Sequence, residues 1–120
     1  MTINEYQKSA LTLLRTYPKP YLGDPVDTWE NRLLHGLIGL NGEAGECIDI
    51  LKKHIFQGHD LDPEHLAKEL GDVSWYLAVA ADALGYDLET IFQMNIDKLR
   101  KRYPDGFDEE LSKHRKTGDI

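Results

Sequence analysis

Residues 35–53 have the sequence HGLIGLNGEAGECIDILKK, which predicts a helix at the centre of the fold. The stretch contains no proline and its apolar residues recur at helical spacing, yet it carries four glycines and two glutamates three positions apart. Each interior glycine weakens a helix by about 0.8–1 kcal/mol relative to alanine, and like charges one turn apart repel each other. The glycines and the acids of this helix are therefore expected to have roles beyond helix formation.

Capping residues and helix stops divide the chain into four predicted helices. The starts are marked by Thr2 with Glu5, by Asp27 or Thr28, by Asp62 before Pro63, and by Asp87. The stops after the second, third and fourth helices are Gly58, Gly85, and Pro104 with Gly106. The proline-rich segment 17–27 is predicted to be a loop, and the polar segment 108–120 a solvated or partly disordered tail.

Two apolar stripes indicate how the central helices pack. The second helix carries Leu33, Leu37, Leu40, Ala44, Cys47 and Leu51, and the third carries Leu66, Leu70, Val73, Leu77, Ala80 and Leu84. Steps of three and four residues are typical of helix bundles. A short loop joins the two helices, which favours an antiparallel hairpin. We predict one all-α domain over residues 1–120, a four-helix bundle-like fold around this central hairpin with a polar C-terminal tail.

Composition and charge restrict the class of protein. The 14 basic and 21 acidic residues give a net charge of -7, which argues against a nucleic acid polymer as partner. No apolar run approaches the ~20 residues of a membrane span, and the first ten residues lack the layout of a signal peptide. The single cysteine, Cys47, excludes an internal disulfide framework and is expected to be a small buried residue. A cytoplasmic protein without membrane contact is expected.

Four acids fall on one flank of the two stripes. Glu43 and Glu46 lie on the second helix, and Glu69 and Asp72 lie on the third. Equivalent flanks of an antiparallel pair lie on the same side, so these carboxylates are predicted to line one edge of the hairpin. With a symmetric loop, their levels along the helix axis differ by about 7–8 Å. A slant of the helices or an earlier helix end would close that gap.

Clustered carboxylates need a positive partner, because they repel each other and are costly to desolvate. Magnesium, which takes oxygen ligands, is the natural candidate. Gly36 and Gly39 continue the acidic flank without side chains, which leaves a trough for a ligand or a closely packed neighbour. A close helix contact is the simplest explanation of Gly42 and Gly45. The alternative is that both acid pairs are ordinary solvated helix faces.

The fourth helix adds polar and cationic candidates. Its stripe includes Asn95, which is expected to point inward as a core hydrogen-bond linker or as part of the site. Lys98 and Arg102, with Lys52 or Lys53 from the second helix, could meet phosphate charge; for the lysine pair a solvated helix end is favoured. The two tryptophans, Trp29 and Trp75, are candidates for stacking on a base, with core packing favoured for Trp75.

Three motifs carry a resemblance to a known family: GLNGEAGECIDILKK, KELGDVSWYL and NIDKLRKRYPDGFD. Together they resemble the MazG-like nucleoside triphosphate pyrophosphohydrolases of the all-α pyrophosphatase superfamily, over about residues 33–108. The paired ExxE and ExxD patterns correspond to Glu43, Glu46, Glu69 and Asp72. The resemblance implies cleavage of a nucleoside triphosphate between its α and β phosphates, dependent on Mg²⁺ or Mn²⁺. It also implies a dimer or tetramer.

The predicted site combines these residues. The four acids hold the metal, and Glu43 or Glu46 orients or deprotonates the attacking water. The substrate-binding candidates are Asn95, Lys98, Arg102, Lys53 and Trp29. A non-catalytic helical bundle that binds metal or nucleotide as a structural or regulatory module remains the alternative. A ferritin-type di-iron bundle is disfavoured, because it uses Glu-x-x-His pairs that this chain lacks.

Overall fold

Residues 1–14 and 28–120, which the computed structural model describes, form five helices and no strand. The helices are α1 (Ile3–Leu11), α2 (Trp29–Gln57), α3 (Pro63–Ala83), α4 (Leu88–Arg102) and α5 (Glu109–Lys113). The predicted all-α fold is confirmed. The loop predicted over residues 17–27 lies outside the described residues. None of the described helices is both long and apolar enough to cross a membrane.

The helix boundaries follow the capping residues. Thr2 and Glu5 form a capping box, in which the Glu5 amide donates to the Thr2 hydroxyl at 3.1 Å and the Thr2 amide donates to the Glu5 carboxylate at 2.8 Å. Thr28, rather than Asp27, caps α2. At the other end of α2, Gly58 has a φ of 72°, the left-handed conformation that glycine adopts without strain.

Helices α2 and α3 form the antiparallel hairpin, and two glycines set how closely they approach. A Cβ atom at Gly36 would lie 2.8 Å from the Ala80 backbone nitrogen, and one at Gly39 would overlap the ring of Tyr76. The trough expected at these glycines is therefore filled by closely packed neighbours on α3. These two contacts fix the register of the helices, with Gly36 opposite Ala80 and Gly39 opposite Tyr76.

The loop between α2 and α3 folds back along the last turn of α2. The His59 amide donates to the Lys53 carbonyl at 3.2 Å, and His54 Nδ1 lies 2.7 Å from the His59 carbonyl oxygen. The Gly58 amide also donates to the Lys53 carbonyl, so this one carbonyl anchors the turn that ends α2. Because the chain first returns beside α2, that helix extends about one turn beyond the start of α3. The loop is therefore asymmetric.

Polar side chains of α1 attach that helix to α3 and α4. Gln7, which is 5% exposed, donates to the carbonyls of Ala78 and Tyr86 and accepts from the Leu88 amide at 2.9 Å. Trp75 Nε1 donates to the Ala10 carbonyl at 3.0 Å. Trp75 packs against the buried cluster that contains Ala10, which agrees with its expected core role.

The apolar stripes do not define the whole hairpin interface. Leu37, Leu70 and Leu84 are 49%, 55% and 52% exposed, although each was expected to face the partner helix. The contact is rotated toward the flank that carries the glycines and the acids. The expected close contact at Gly42 and Gly45 is wrong for the single chain, because a Cβ at either position meets no described atom within 4 Å.

The C-terminal tail is more ordered than its polar composition predicts. It contains α5, and a bidentate ion pair ties its end to α4. Arg102 Nε and Nη2 donate to the two carboxylate oxygens of Asp119 at 2.8 and 2.9 Å. Most of the tail is exposed, which agrees with the expected solvation, but its end is held because bidentate arginine–carboxylate geometry combines two charge-assisted hydrogen bonds.

Candidate metal centre

Three carboxylates converge between α2 and α3. One oxygen each from Glu43, Glu69 and Asp72 lies within 4.8 Å of the other two, and these residues are called the carboxylate cluster. Glu43 follows Gly39 by four residues and Asp72 precedes Tyr76 by four, so the register of the hairpin places them opposite each other. This register closes the gap of about 7–8 Å that a symmetric loop would leave, and the asymmetric loop accommodates it.

Two oxygens of the cluster are buried without a hydrogen-bond partner in the described part of the chain. They are Glu43 Oε2 and Glu69 Oε2. An unpartnered buried polar atom costs about 1–3 kcal/mol, and more for a charged group. An ordinary solvated helix face would leave these oxygens in contact with water. Their burial therefore favours a cation-binding role over that alternative.

The surroundings of Glu43 disfavour its ionised form. Burial is the largest cause that raises the pKa of Glu43, followed by the charge of Glu46 and a hydrogen bond with it, and by the charges of Asp72 and Glu69. Each of these effects disfavours the ionised form. A divalent cation among the carboxylates would reverse this balance.

The donor set fits a hard divalent cation. All three cluster residues offer carboxylate oxygen, which suits Mg²⁺ and Mn²⁺. Opposite oxygens around one octahedral Mg²⁺ lie about 4.2 Å apart, slightly less than the 4.8 Å limit that encloses the cluster. Neighbouring oxygens of the octahedron lie about 3.0 Å apart, so a single bound ion would draw the carboxylates closer together.

Glu46 lies beside the cluster but outside the group of three oxygens. It is exposed on α2, one turn after Glu43, and its charge and hydrogen bond raise the pKa of Glu43. The structure thus brings three of the four predicted acids together and leaves the fourth next to them. Its role as a ligand or as a water-orienting group stays a prediction.

The sequence comparisons identify the family. A model of the MazG nucleotide pyrophosphohydrolase domain matches residues 33–107, which include all four acids. The chain belongs to the MazG nucleotide pyrophosphohydrolase family. It is also similar to the Gene 37 protein of Mycobacterium phage L5, with 39% identity over 69 residues that cover 54% of this chain. The match covers 60% of that relative, less than two thirds of its length. No solved structure matches the chain significantly.

His65 is a neighbour of the cluster within the MazG match, and the sequence analysis did not assign it to the site. The Asp62 side chain caps α3 as predicted, accepting from the amides of Glu64 and His65. The His65 ring also reaches forward, so that Nε2 lies 3.3 Å from Glu69 Oε1. The spacing of four residues between His65 and Glu69 is a sequence signal that could have identified this contact.

Burial and the charge of the cluster raise the pKa values of two neighbouring residues, Tyr6 and Cys47. Burial and then the charge of Asp72 raise the pKa of Tyr6, a residue of α1, which precedes the MazG match. Burial raises the pKa of Cys47, and the four acids raise it further. Cys47 is half-buried one turn after Glu43, which agrees with a packing role for an unreactive thiol.

Three of the predicted cationic residues, Lys52, Lys53 and Arg102, contact other acids in this structure. Lys53 Nζ and Lys52 Nζ both lie 2.9 Å from the carboxylate of Asp49 and lower its pKa to about 2. Arg102 is occupied by Asp119, as described above. These side chains are therefore engaged away from the carboxylate cluster.

The remaining substrate-binding candidates are exposed. Asn95 was expected to point inward, but it is exposed on α4, as are most of its neighbours on that helix. The prediction failed because α4 is covered mainly at its beginning, where Leu88 is 2% exposed. Trp29 is 51% exposed at the start of α2, and Lys98 is exposed on α4.

Proposed function

We propose that this MazG-family chain hydrolyses nucleoside triphosphates between the α and β phosphates, releasing a nucleoside monophosphate and pyrophosphate, in a metal-dependent reaction. The observation that carries the proposal is the convergence of three carboxylates, two of them with unpartnered buried oxygens, inside the family match. A cluster of this kind can bind divalent cations, and these cations can bind phosphate oxygens.

The acids of the hairpin would hold the divalent cation. Glu43, Glu69 and Asp72 supply the convergent oxygens, with Glu46 beside them, and either Mg²⁺ or Mn²⁺ suits this donor set. When bound, such a cation neutralises charge on the triphosphate and lowers the pKa of water. His65, through its contact with Glu69, would fix the orientation of that carboxylate.

A carboxylate of α2 would orient the attacking water and accept its proton. Glu43 and Glu46 are the two candidates. Burial and neighbouring acids raise the pKa of Glu43, which makes it a stronger base than an ordinary carboxylate. Glu46, which is exposed, has freer access to water.

Cationic and polar residues would bind the rest of the substrate. Lys98 and Arg102 would neutralise phosphate charge, Asn95 would position the nucleotide, and Lys53 and Trp29 would contact the phosphates and the base. For Arg102 this role requires that Asp119 release the guanidinium, since both carboxylate oxygens are bound to it. We place the activity in the cytoplasm, where nucleoside triphosphates are made.

A homo-oligomer, either a dimer or a tetramer, would cover the apolar surface of the hairpin. Large apolar side chains that are about half exposed or more on α2 and α3 include Leu37, Ile38, Ile48, Phe56 and Leu70. Exposed apolar surface of this extent is typical of an interface. Val79 of α3, in contrast, is 1% exposed and belongs to the core. A monomeric mass in light scattering at micromolar concentration would contradict the oligomer.

The decisive experiment is a panel of normal and modified nucleoside triphosphates with Mg²⁺ or Mn²⁺, scored for pyrophosphate release. Turnover of at least one substrate, lost in EDTA, is expected. A folded protein that gains stability from the metal or a nucleotide but turns over none of the panel would favour the alternative, a non-catalytic binding module. Release of orthophosphate instead of pyrophosphate would contradict the proposed cleavage position.

A further inference from the structure

A cavity of about 650 Å³ lies between α4 and the C-terminal segment 114–120, and is called the tail cavity. Its α4 side includes Lys98 and Lys101, and its tail side includes Arg115 and Lys116. The segment 114–120 follows the MazG match, which ends at residue 107. The tail cavity is thus a feature that the family match does not account for.

The charge of the tail cavity is opposite to that of the chain. Five lysines and arginines and two aspartates line it, an excess of three positive charges in a chain whose net charge is -7. Both aspartates are already engaged. Asp119 is bound by Arg102 through both oxygens, and Asp97 accepts a hydrogen bond from Gln93 Nε2 at 2.8 Å. The remaining lysines and arginines concentrate positive charge in one concave surface.

The wall formed by the tail is held in place. Gly118 has a φ of 84°, which lets the chain turn, and the Asp119 amide donates to the Lys116 carbonyl at 3.0 Å. The turn directs Asp119 toward Arg102, and their side chains are only 19% and 8% exposed. The Arg102–Asp119 ion pair therefore keeps Arg115 and Lys116 on the edge of the cavity.

We propose that the tail cavity binds a small anion that carries two or more phosphate groups, independently of the proposed hydrolysis. Lys101, Arg115 and Lys116, none of which takes part in the proposed hydrolysis, would supply the positive charge. The volume falls within the range of about 300–1,000 Å³ that is typical of small-molecule sites. Met94, Leu111 and Ile120 add apolar surface on the same cavity, which could contact a nucleoside attached to the phosphates.

The test is calorimetric titration of the full-length chain with inorganic tripolyphosphate in EDTA, where a metal-dependent site is silent. Binding is expected, and the double variant Arg115→Gln/Lys116→Gln should weaken it by about tenfold for each charged hydrogen bond lost. The matched control Lys8→Gln/Lys68→Gln removes two exposed positive charges elsewhere and should bind as the wild type does. Glu69→Gln should also retain binding.

Three results would overturn the proposal. The first is that tripolyphosphate does not bind the wild type in EDTA. The second is that the tail variant and the control weaken binding equally. The third is that Glu69→Gln loses binding, which would place the anion at the carboxylate cluster. Circular dichroism should show the same helix content in all variants. A nucleoside triphosphate that binds more tightly than tripolyphosphate would identify a nucleotide as the ligand. Equal affinities would identify an inorganic polyphosphate.

Discussion

The carboxylate cluster and the Arg102–Asp119 ion pair both remove charged oxygens from solvent, with opposite results. In the cluster, burial and like charges raise the pKa of Glu43, and two oxygens have no partner in the described chain. In the ion pair, both oxygens of Asp119 are bound, and Arg102 lowers the pKa of Asp119. The ion pair, whose oxygens all have partners, therefore stabilises the tail, whereas the carboxylate cluster, in which two oxygens lack partners in the described chain, is suited to bind an ion from solution.

The largest expected effect concerns catalysis at the cluster. Glu46→Gln removes a negative charge beside Glu43 and should lower the rate of pyrophosphate release by about 10² or more, the loss typical when one stabilising group is removed from a transition state. Helix content measured by circular dichroism should not change. The control Glu64→Gln, an exposed acid on α3 paired with Lys68, should keep full activity. Near-normal turnover of Glu46→Gln would remove Glu46 from the site.

The next effect is on stability, and it separates the cluster from a solvated face. A cation that binds only the folded state adds about 2.7 kcal/mol to the free energy of unfolding at a hundredfold excess over its Kd. Each kcal/mol raises the Tm by on the order of 2–8 °C. Glu69→Gln should raise the Tm in EDTA, because repulsion falls, and should reduce the gain from Mg²⁺. Parallel shifts of wild type and variant on adding Mg²⁺ would show that Glu69 is not a ligand.

A smaller effect tests the packing that brings the cluster together. Gly36→Ala places a methyl group against the Ala80 backbone, whereas Gly45→Ala places one in open space. Both substitutions gain the same helix propensity, so the difference between their free energies of unfolding measures the clash. Gly36→Ala should be less stable than Gly45→Ala by about 1–3 kcal/mol. Urea denaturation measures the difference. Equal stabilities would mean that the helices can separate at Gly36 without cost.

The smallest effect is local and concerns the ion pair. Because the folded-state pKa of Asp119 is lowered, the pair stabilises the tail above the unfolded value, about 3.9, and is lost as the pH falls through the lower folded value. The NMR resonance of the Arg102 Nε–H group should shift with a midpoint below 3.9. Asp119→Asn should abolish that transition, and Asp105→Asn should leave it unchanged. A midpoint at or above 3.9 would contradict the pair.

Local signals predicted the helices well, because each boundary depends on a few neighbouring residues. Thr2 with Glu5, Gly58 and Asp62 cap their helices as expected. Periodicity did not predict which face of each helix is buried. Leu37 and Leu70 are exposed and Asn95 points away from the core, since a stripe reveals an apolar face but not what covers it.

The site was predictable in composition but not in geometry. Spacing placed four acids on one flank, and three of them converge. Their distance depends on the register that Gly36 and Gly39 set against Ala80 and Tyr76, and apolar periodicity does not indicate that register. The pairing of Arg102 with Asp119, 17 residues apart, was equally inaccessible because it depends on the turn at Gly118.

The folded-back loop also has a consequence for protein engineering. Because packing at Gly36 and Gly39 sets the register, the connection from Gly58 to Asp62 need not have one particular length. Each doubling of a flexible loop costs only about 0.6 kcal/mol of closure entropy. Extra residues placed between His59 and Leu61 should therefore leave the carboxylates aligned. This end of the hairpin is a natural position to insert a peptide tag or a reporter domain.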